Sequence, residues 1–176
     1  MESIGRLLHY LRSWVMPVRH KERALDEIYD FQGSASELYE YVYYWYPQFA
    51  EDVDIKTAMI CARGQVIRYF PCFKQMKTFV LEAVKSDGLA LQYLPKFQND
   101  WGVVHAAIRE NGFAYKYIDD AMRHDVDIMC EALESSPQII NQMPLLKSEY
   151  KQILEAVDAL EKHPKLMYMK KHLDLD

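Results

Sequence analysis

The sequence has few of the residues that make tight turns and covalent cross-links. Its 176 residues include only six glycines and seven prolines, which disfavours a β-sandwich with many turns. The three cysteines, Cys61, Cys72 and Cys130, are an odd number without a Cys-x-x-Cys pair, so neither a disulfide framework nor a zinc cluster is indicated. We therefore expect the chain to work in the cytoplasm or another reducing compartment.

Long apolar runs and the common catalytic motifs are also missing. No stretch approaches the roughly 18 apolar residues that a membrane-spanning helix needs. No motif of the P-loop, dinucleotide-binding, nucleophile-elbow or zinc-protease type occurs, so the sequence predicts no cofactor and no metal ion. The net charge of -5 disfavours a nucleic-acid partner, because phosphate backbones are bound by basic surfaces.

Glycine and tyrosine recur along the middle of the chain at a constant step of 24 residues. The positions are Gly64, Gly88 and Gly112, with Tyr69, Tyr93 and Tyr117 five residues after each glycine. The small residues Ala83 and Ala107 keep the same step, and Ala132 follows after one inserted residue. Agreement of several positions on one step indicates tandem repeats.

One copy of this pattern, residues 100–118, shows how it would fold. Asp100 is a candidate N-cap, and so are Asp52 and Asp125 at the same point of their own copies. The next apolar positions form one face of a short helix: Val103, Val104, Ala107 and Ile108. We expect Gly112 to end this helix in the left-handed conformation that glycine adopts without steric cost. A second, shorter helix or turn would follow it.

These features predict an all-α protein with a single domain, residues 1–176. Helix-turn-helix repeats of about 24 residues would stack as a small solenoid-like bundle over residues 51–144. Residues 1–50 would supply an N-terminal capping helix and an aromatic-rich helix, and residues 145–176 the C-terminal capping helices. A single helix pair of this size cannot bury its apolar face alone, whereas stacked copies share a core.

Residues 85–93 and 100–117 carry a further signal, because their sequence resembles a known family of tandem repeats. The family is the domain of unknown function four-one-one-six, with a pattern close to D-W-x-V-V-x-A-A-V-x-x-N-G-x-A-L-x-Y. The resemblance is good over residues 76–134 and weak over 52–75. It implies an all-helical module and no established activity. Such repeats are common in host-associated organisms, so the resemblance also implies a possible host-directed role, including delivery into a host cell.

The N-terminal segment allows two interpretations. Residues 4–15 form an amphipathic stripe, and basic residues are frequent over residues 1–23. The segment is either a capping helix that covers the first repeat or a helix that lies on a membrane surface. Glu37 to Phe49 is dense in aromatics, which are either buried by the flanks or exposed for a partner.

The sequence supports catalysis only weakly. His124-Asp125 is a candidate acid–base pair, and His105 shares a repeat position with Cys130, so a Cys–His dyad between neighbouring copies is conceivable. The alternative is structural: Asp125 caps a helix, and His105 and Cys130 pack between helices. An enzyme of unfamiliar type using His105, His124 or Cys130 therefore stays an alternative function.

The leading interpretation is a non-catalytic module that binds another, unidentified protein. Stacked helices offer a long surface, and the chain has more aromatic and acidic residues than a core and its caps need. The predicted partner-binding residues are Tyr41, Tyr44, Lys85, Gln92, Arg109, Lys116, Asp119, Asp120, Asp127 and Glu134.

Overall fold

A computed structural model of the protein describes residues 19–139. Over this part of the chain the structure consists of α-helices and 3-10 helices and contains no strand, so the all-α class is confirmed. The chain divides into two compact units, Met1–Ser86 and Asp87–Asp176, each of which we describe by itself. The single-domain expectation stays a prediction. The predicted amphipathic stripe of residues 4–15 and the predicted C-terminal helices of residues 145–176 lie outside the described residues.

Over residues 19–86 the N-terminal unit has four α-helices with 3-10 helices between them. Its elements are α1 (Arg19–Tyr29), α2 (Ala35–Trp45), η1 (Pro47–Phe49), α3 (Val53–Ala62), η2 (Gly64–Tyr69), η3 (Phe73–Gln75) and α4 (Lys77–Ser86). Helix α3 packs against both α1 and α4, and η2 packs against α2, α3 and α4. The aromatic-rich helix α2 begins at Ser34, whose side chain forms a capping box with Glu37.

The C-terminal unit repeats this alternation of long and short helices. Its elements are η4 (Gly88–Tyr93), η5 (Pro95–Phe97), α5 (Trp101–Glu110), η6 (Gly112–Tyr117), α6 (Asp120–Arg123) and α7 (Val126–Ser135). Helix α5 packs against α7, η4 and η6. The predicted apolar face of α5 is confirmed, since Val103, Val104, Ala107 and Ile108 are fully buried.

The helix bounds recur at regular intervals. Helices α3, α4, α5 and α7 have ten residues each and begin 24, 24 and 25 residues apart. A six-residue 3-10 helix follows each of the first three, and it begins with Gly64, Gly88 or Gly112 and ends with Tyr69, Tyr93 or Tyr117. The second, shorter element predicted for each copy is therefore a 3-10 helix.

The three predicted caps are confirmed. Asp52 accepts hydrogen bonds from the backbone N–H groups of Asp54 and Ile55 at the start of α3. Asp100 accepts one such bond, from Val103 at the start of α5, and Asp125 accepts two, from Asp127 and Ile128 at the start of α7. A carboxylate satisfies N–H groups that have no acceptor within the helix, which is why the three helices begin where the sequence indicates.

The predicted left-handed conformation of the glycines is wrong. Neither Gly88 nor Gly112 has φ in the left-handed region, and Asn111, which ends α5, is extended at φ -149°. The glycines are needed because the following helix comes close. A Cβ atom on Gly88 would lie 2.2 Å from the carbonyl oxygen of Ala107, and one on Gly112 would lie 2.3 Å from that of Ala132.

The backbone N–H groups of Gly64, Gly88 and Gly112 each donate a hydrogen bond to a side chain at the end of the ten-residue helix that follows. The donor–acceptor pairs are Gly64 with Ser86, Gly88 with Glu110, and Gly112 with Ser135. The three acceptors are the last residues of α4, α5 and α7. The first N–H groups of a helix lack internal acceptors, so a side chain from the next helix both satisfies them and sets the register between successive elements.

Candidate functional site

The predicted contact residue Arg109 belongs to a surface formed by α5 and α7. Arg109, His105 and Trp101 are spaced four residues apart on α5 and therefore lie along one stripe of that helix. The facing helix α7 contributes acidic residues. We call this the α5–α7 surface, and it comprises Trp101, His105, Arg109, Asp127, Glu131 and Glu134.

Two contacts set the register of the two helices. Nδ1 of His105 is hydrogen-bonded to Oε2 of Glu131, and Oγ of Ser135 donates to the backbone oxygen of Arg109 at 3.4 Å. In both pairs the residue numbers differ by 26, so α5 and α7 run parallel. The same offset places Asp127 level with Trp101 at the N-terminal end of the surface.

In the middle of the α5–α7 surface, the carboxylate of Glu131 contacts two residues of α5. One carboxylate oxygen is bonded to His105, and the other lies 3.6 Å from Nε of Arg109. The imidazole ring also packs on the indole of Trp101, with the ring centroids 4.4 Å apart. Both oxygens of Glu131 are thus engaged, and this carboxylate holds the two helices together.

The two ends of the surface are open to solvent. Trp101 is 50% exposed, the side chain of Arg109 is 76% exposed, and Asp127 and Glu134 are exposed. Large aromatic and guanidinium side chains are the types that most often dominate protein–protein binding energy. The three carboxylates outnumber the single guanidinium, so the surface as a whole is acidic.

The other predicted residues of the C-terminal unit are polar surface groups with local roles. Lys116 is exposed with Nζ 5.9 Å from the centre of the Tyr117 ring, while Gln92 donates to the Leu89 carbonyl at 3.0 Å. Asp119 caps α6, and Asp120 pairs with Arg123 at 2.9 Å. The structure places none of these four residues in the α5–α7 stripes.

The predicted partner-binding residues of the N-terminal unit differ in their exposure and in the contacts they make. Lys85 is exposed and pairs with Glu82 at 2.9 Å. Tyr44 is 40% exposed. Tyr41, in contrast, is partly buried, and its hydroxyl donates to Oε2 of Glu27 at 2.6 Å. Tyr41 therefore joins α2 to α1, a role that its position in an aromatic run did not reveal.

Glu27 is the centre of a hydrogen-bonded cluster in the N-terminal unit. Burial by itself would raise its pKa, but hydrogen bonds from Tyr41, Tyr46 and Arg23 outweigh burial and hold the pKa below its usual value. Burial and the bond to this carboxylate raise the pKa of Tyr41 to about 12. The same two causes raise the pKa of Tyr46.

We expect the stability of the protein to fall at both pH extremes because of this cluster. Tyrosines whose pKa is raised in the folded state stabilise it fully below their unfolded pKa of about 10, and this contribution is lost as the pH rises from there toward about 12. The carboxylate of Glu27, whose pKa is lowered, stabilises the fold above about pH 4.5 and loses this effect on acidification. Urea unfolding midpoints measured across pH would test both limbs.

The matched variants for this test are Tyr46→Phe and Tyr29→Phe. The first removes a hydroxyl bonded to Glu27, so the loss of stability above pH 10 should become shallower than in the wild type. The second changes a tyrosine that is 58% exposed and should leave the alkaline limb unchanged. Equal alkaline slopes in the wild type and the Tyr46 variant would contradict this interpretation.

The candidate catalytic residues do not form the dyad that their shared repeat position allowed. Nδ1 of His105 is bonded to Glu131, and its Nε2 is buried without a hydrogen-bond partner, so Cys130 is not paired with this imidazole. Cys130 is fully buried. His124 is exposed at the end of α6. Asp125 caps α7, as the structural alternative required.

Three further observations on the described residues concern metal ions, disulfides and membrane-spanning helices. Within residues 19–139 no group of three or more His, Cys, Asp or Glu side chains is placed to hold a metal ion, and none of the three cysteines forms a disulfide. None of the helices in this part of the chain has the length and apolar character to cross a membrane. Of the basic N-terminal residues, Lys21 pairs with Asp52 and Asp54.

Sequence reasoning missed Trp101 and Glu131 as members of a surface. The spacing of Trp101, His105 and Arg109 by four residues was a usable signal for the α5 stripe. Glu131 could not be found in this way, because its role depends on the offset of 26 residues between two helices. That offset differs from the 25-residue step between their first residues.

Fold and site together define an all-helical protein that combines regularly spaced helices with an exposed aromatic and acidic surface. Residues 100–147 match the family described as "Domain of unknown function (DUF4116)". The match confirms the resemblance for this segment, which contains α5, η6, α6 and α7. Comparisons with curated proteins and with solved structures give no match.

Proposed function

We propose that the chain is a non-catalytic helical-repeat module that binds another protein through its exposed helix positions. The observation that carries the proposal is one position shared by three ten-residue helices. Lys85, Arg109 and Glu134 are each the penultimate residue of their helix, and each is exposed. Their charges differ although the preceding position is apolar in all three helices, and such variation at a constant exposed position suits recognition of a partner.

The repeat arrangement itself is part of this proposal. Supporting it, ten-residue helices recur at nearly constant intervals, and the N–H of each leading glycine is bound by the last residue of the next helix. We propose that the copies stack as a small solenoid with capping segments in residues 1–50 and 145–176. Terminal caps would cover the apolar faces of the first and last copies.

The proposed contact residues are those of the sequence prediction, with an order of importance that follows from their exposure. Arg109, Glu134, Asp127 and Lys85 are exposed on the ten-residue helices, and Lys116 and the two carboxylates of α6 extend the polar surface of the C-terminal unit. Tyr44 is the aromatic contact of the N-terminal unit. The absence of disulfides among the three cysteines supports a reducing compartment, and a host-directed role rests on the family resemblance alone.

The two alternative functions gain no comparable support. The histidine of the candidate dyad is bonded to a carboxylate of the neighbouring helix, which gives it a structural role. The membrane alternative depends on residues 1–23, of which Lys21 and Arg23 form ion pairs within the N-terminal unit.

The test is affinity capture with charge-reversed variants. Arg109→Glu and Glu134→Lys should each reduce recovery of a specifically captured protein by about tenfold, which corresponds to ~1.4 kcal/mol. Far-UV circular dichroism should be unchanged in both variants, since both side chains are exposed, and thermal melting should be unchanged in Glu134→Lys. Arg109→Glu should melt at a slightly lower temperature, because its carboxylate would face Glu131. Glu40→Lys on α2 is the matched control, because Glu40 is also exposed and lies outside the proposed contacts.

The capture is performed from an extract of the source organism and from one of its host, with recovered proteins identified by mass spectrometry. A protein recovered equally by the wild type and both variants would count against the proposal. So would a protein whose recovery falls equally in the Glu40 control.

A further inference from the structure

The N-terminal end of the α5–α7 surface combines an exposed aromatic ring with an exposed carboxylate. Trp101 is half exposed, and the helix register places Asp127 level with it. The imidazole of His105 packs on the indole from the side of the next turn and so supports the ring in a fixed position. An aromatic face beside a carboxylate is the arrangement that binds a guanidinium or ammonium group, through cation–π attraction and a charge-assisted hydrogen bond.

The local charge also favours a cation. The N-terminal ends of two parallel helices meet here, and their backbone dipoles alone would favour an anion. Asp100 and Asp125 cap these two helices and offset the dipoles, which leaves the charge of Asp127 in excess. The nearest cation on the same stripe, Arg109, is eight residues from Trp101, or about 12 Å along the helix, and it faces Glu131.

We propose that Trp101 and Asp127 form a subsite for an arginine or lysine side chain, and that the partner of this surface presents a basic segment. The inference rests on the proposed function and names the partner's chemistry. A basic segment that starts at this subsite would pass Glu131 and reach Glu134 at the other end of α7, and an acceptor group of the partner at that end would contact Arg109. An acidic segment would meet Asp127 and Glu134 at the two ends and is disfavoured.

The test uses a fluorescently labelled peptide of alternating arginine and glycine. A labelled peptide of alternating glutamate and glycine is the oppositely charged control. Binding to the full chain is measured by fluorescence anisotropy at low and at near-physiological salt, because surface charge interactions are screened by salt. The wild type should bind the arginine peptide and not the glutamate peptide. Trp101→Ala and Asp127→Asn should each weaken binding by about fivefold, whereas Trp101→Phe should keep part of the affinity.

Two matched controls separate the subsite from general attraction to an acidic protein. Asp26→Asn removes the same charge from another exposed position, and Tyr29→Ala removes another exposed aromatic ring. Both should leave the affinity within about twofold of the wild type, as expected for surface charges and rings that do not contact the peptide. Equal weakening by Asp26→Asn and Asp127→Asn would overturn the proposal, as would wild-type binding that is insensitive to Trp101→Ala.

The outcomes also distinguish this inference from the proposed function. If Trp101→Ala and Asp127→Asn leave peptide binding unchanged while Arg109→Glu still reduces capture of a partner, the subsite is wrong and the module remains a protein-binding one. If the arginine peptide depends on Trp101 but no captured protein depends on Arg109 or Glu134, the subsite stands and the wider contact surface is wrong.

Discussion

Replacing Gly112 with alanine should destabilise the protein by about 3 kcal/mol, a large overpacking effect. The new Cβ would lie 2.3 Å from the carbonyl oxygen of Ala132 and 2.8 Å from Cβ of Ser136. A clash with backbone is not relieved by turning a side chain, so α7 would have to move away from η6. The measurement is the free energy of unfolding from urea denaturation, followed by circular dichroism.

Gly102→Ala provides the matched control with the opposite sign. Gly102 lies inside α5, and an added Cβ would find only Oδ1 of Asp100 at 3.6 Å, an ordinary contact. Alanine in a helix is more stable than glycine by about 0.5–1 kcal/mol, so this variant should be more stable than the wild type. Gly88→Ala should behave like Gly112→Ala because of its approach to Ala107. Equal stabilities of the Gly102 and Gly112 variants would show that the close approach of the following helix is not the reason why Gly88 and Gly112 are glycines.

Replacing Arg63 with alanine should cost about 2–3 kcal/mol of stability, as expected for hydrogen bonds from a charged group. Its guanidinium donates to the carbonyl oxygens of Gly33 at 2.9 Å, of Phe31, and of Ala62 at 2.7 Å. These bonds join the end of α3 to the loop between α1 and α2. Removal would leave three partly buried carbonyl groups to be satisfied by water, and the loop would open.

Arg63→Lys tests whether the planar fork of the guanidinium is required. An ammonium group keeps the charge but cannot reach several carbonyls in fixed directions, so this variant should recover only part of the lost stability. Urea denaturation of the three proteins measures the difference. A lysine variant as stable as the wild type would mean that charge alone holds the loop.

The helix positions were predictable because their causes lie close together in sequence. Asp100 begins α5, and the four apolar residues that follow within two turns choose its buried face. The glycine–tyrosine step marked where each 3-10 helix begins and ends. The role of Tyr41 was not predictable, since Glu27, its hydrogen-bond acceptor, lies 14 residues away on another helix.

The candidate surface was predicted only in part for the same physical reason. The sequence predicted Arg109, Asp127 and Glu134 as partner-binding residues. Their association with Trp101 depends on the parallel register of α5 and α7. That register is set by the bond between His105 and Glu131, which no local pattern reveals.

What the sequence by itself determined was the all-α class, the starts of α3, α5 and α7 at their aspartate caps, and the buried face of α5. Caps, apolar periodicity and helix-ending residues act within one or two turns, so they can be read from adjacent positions. Only the tertiary structure showed why Gly88 and Gly112 are glycines and which charged side chains are exposed rather than paired with a neighbouring helix. Both depend on how closely a neighbouring helix approaches, and that distance is set by packing between residues about 20 positions apart.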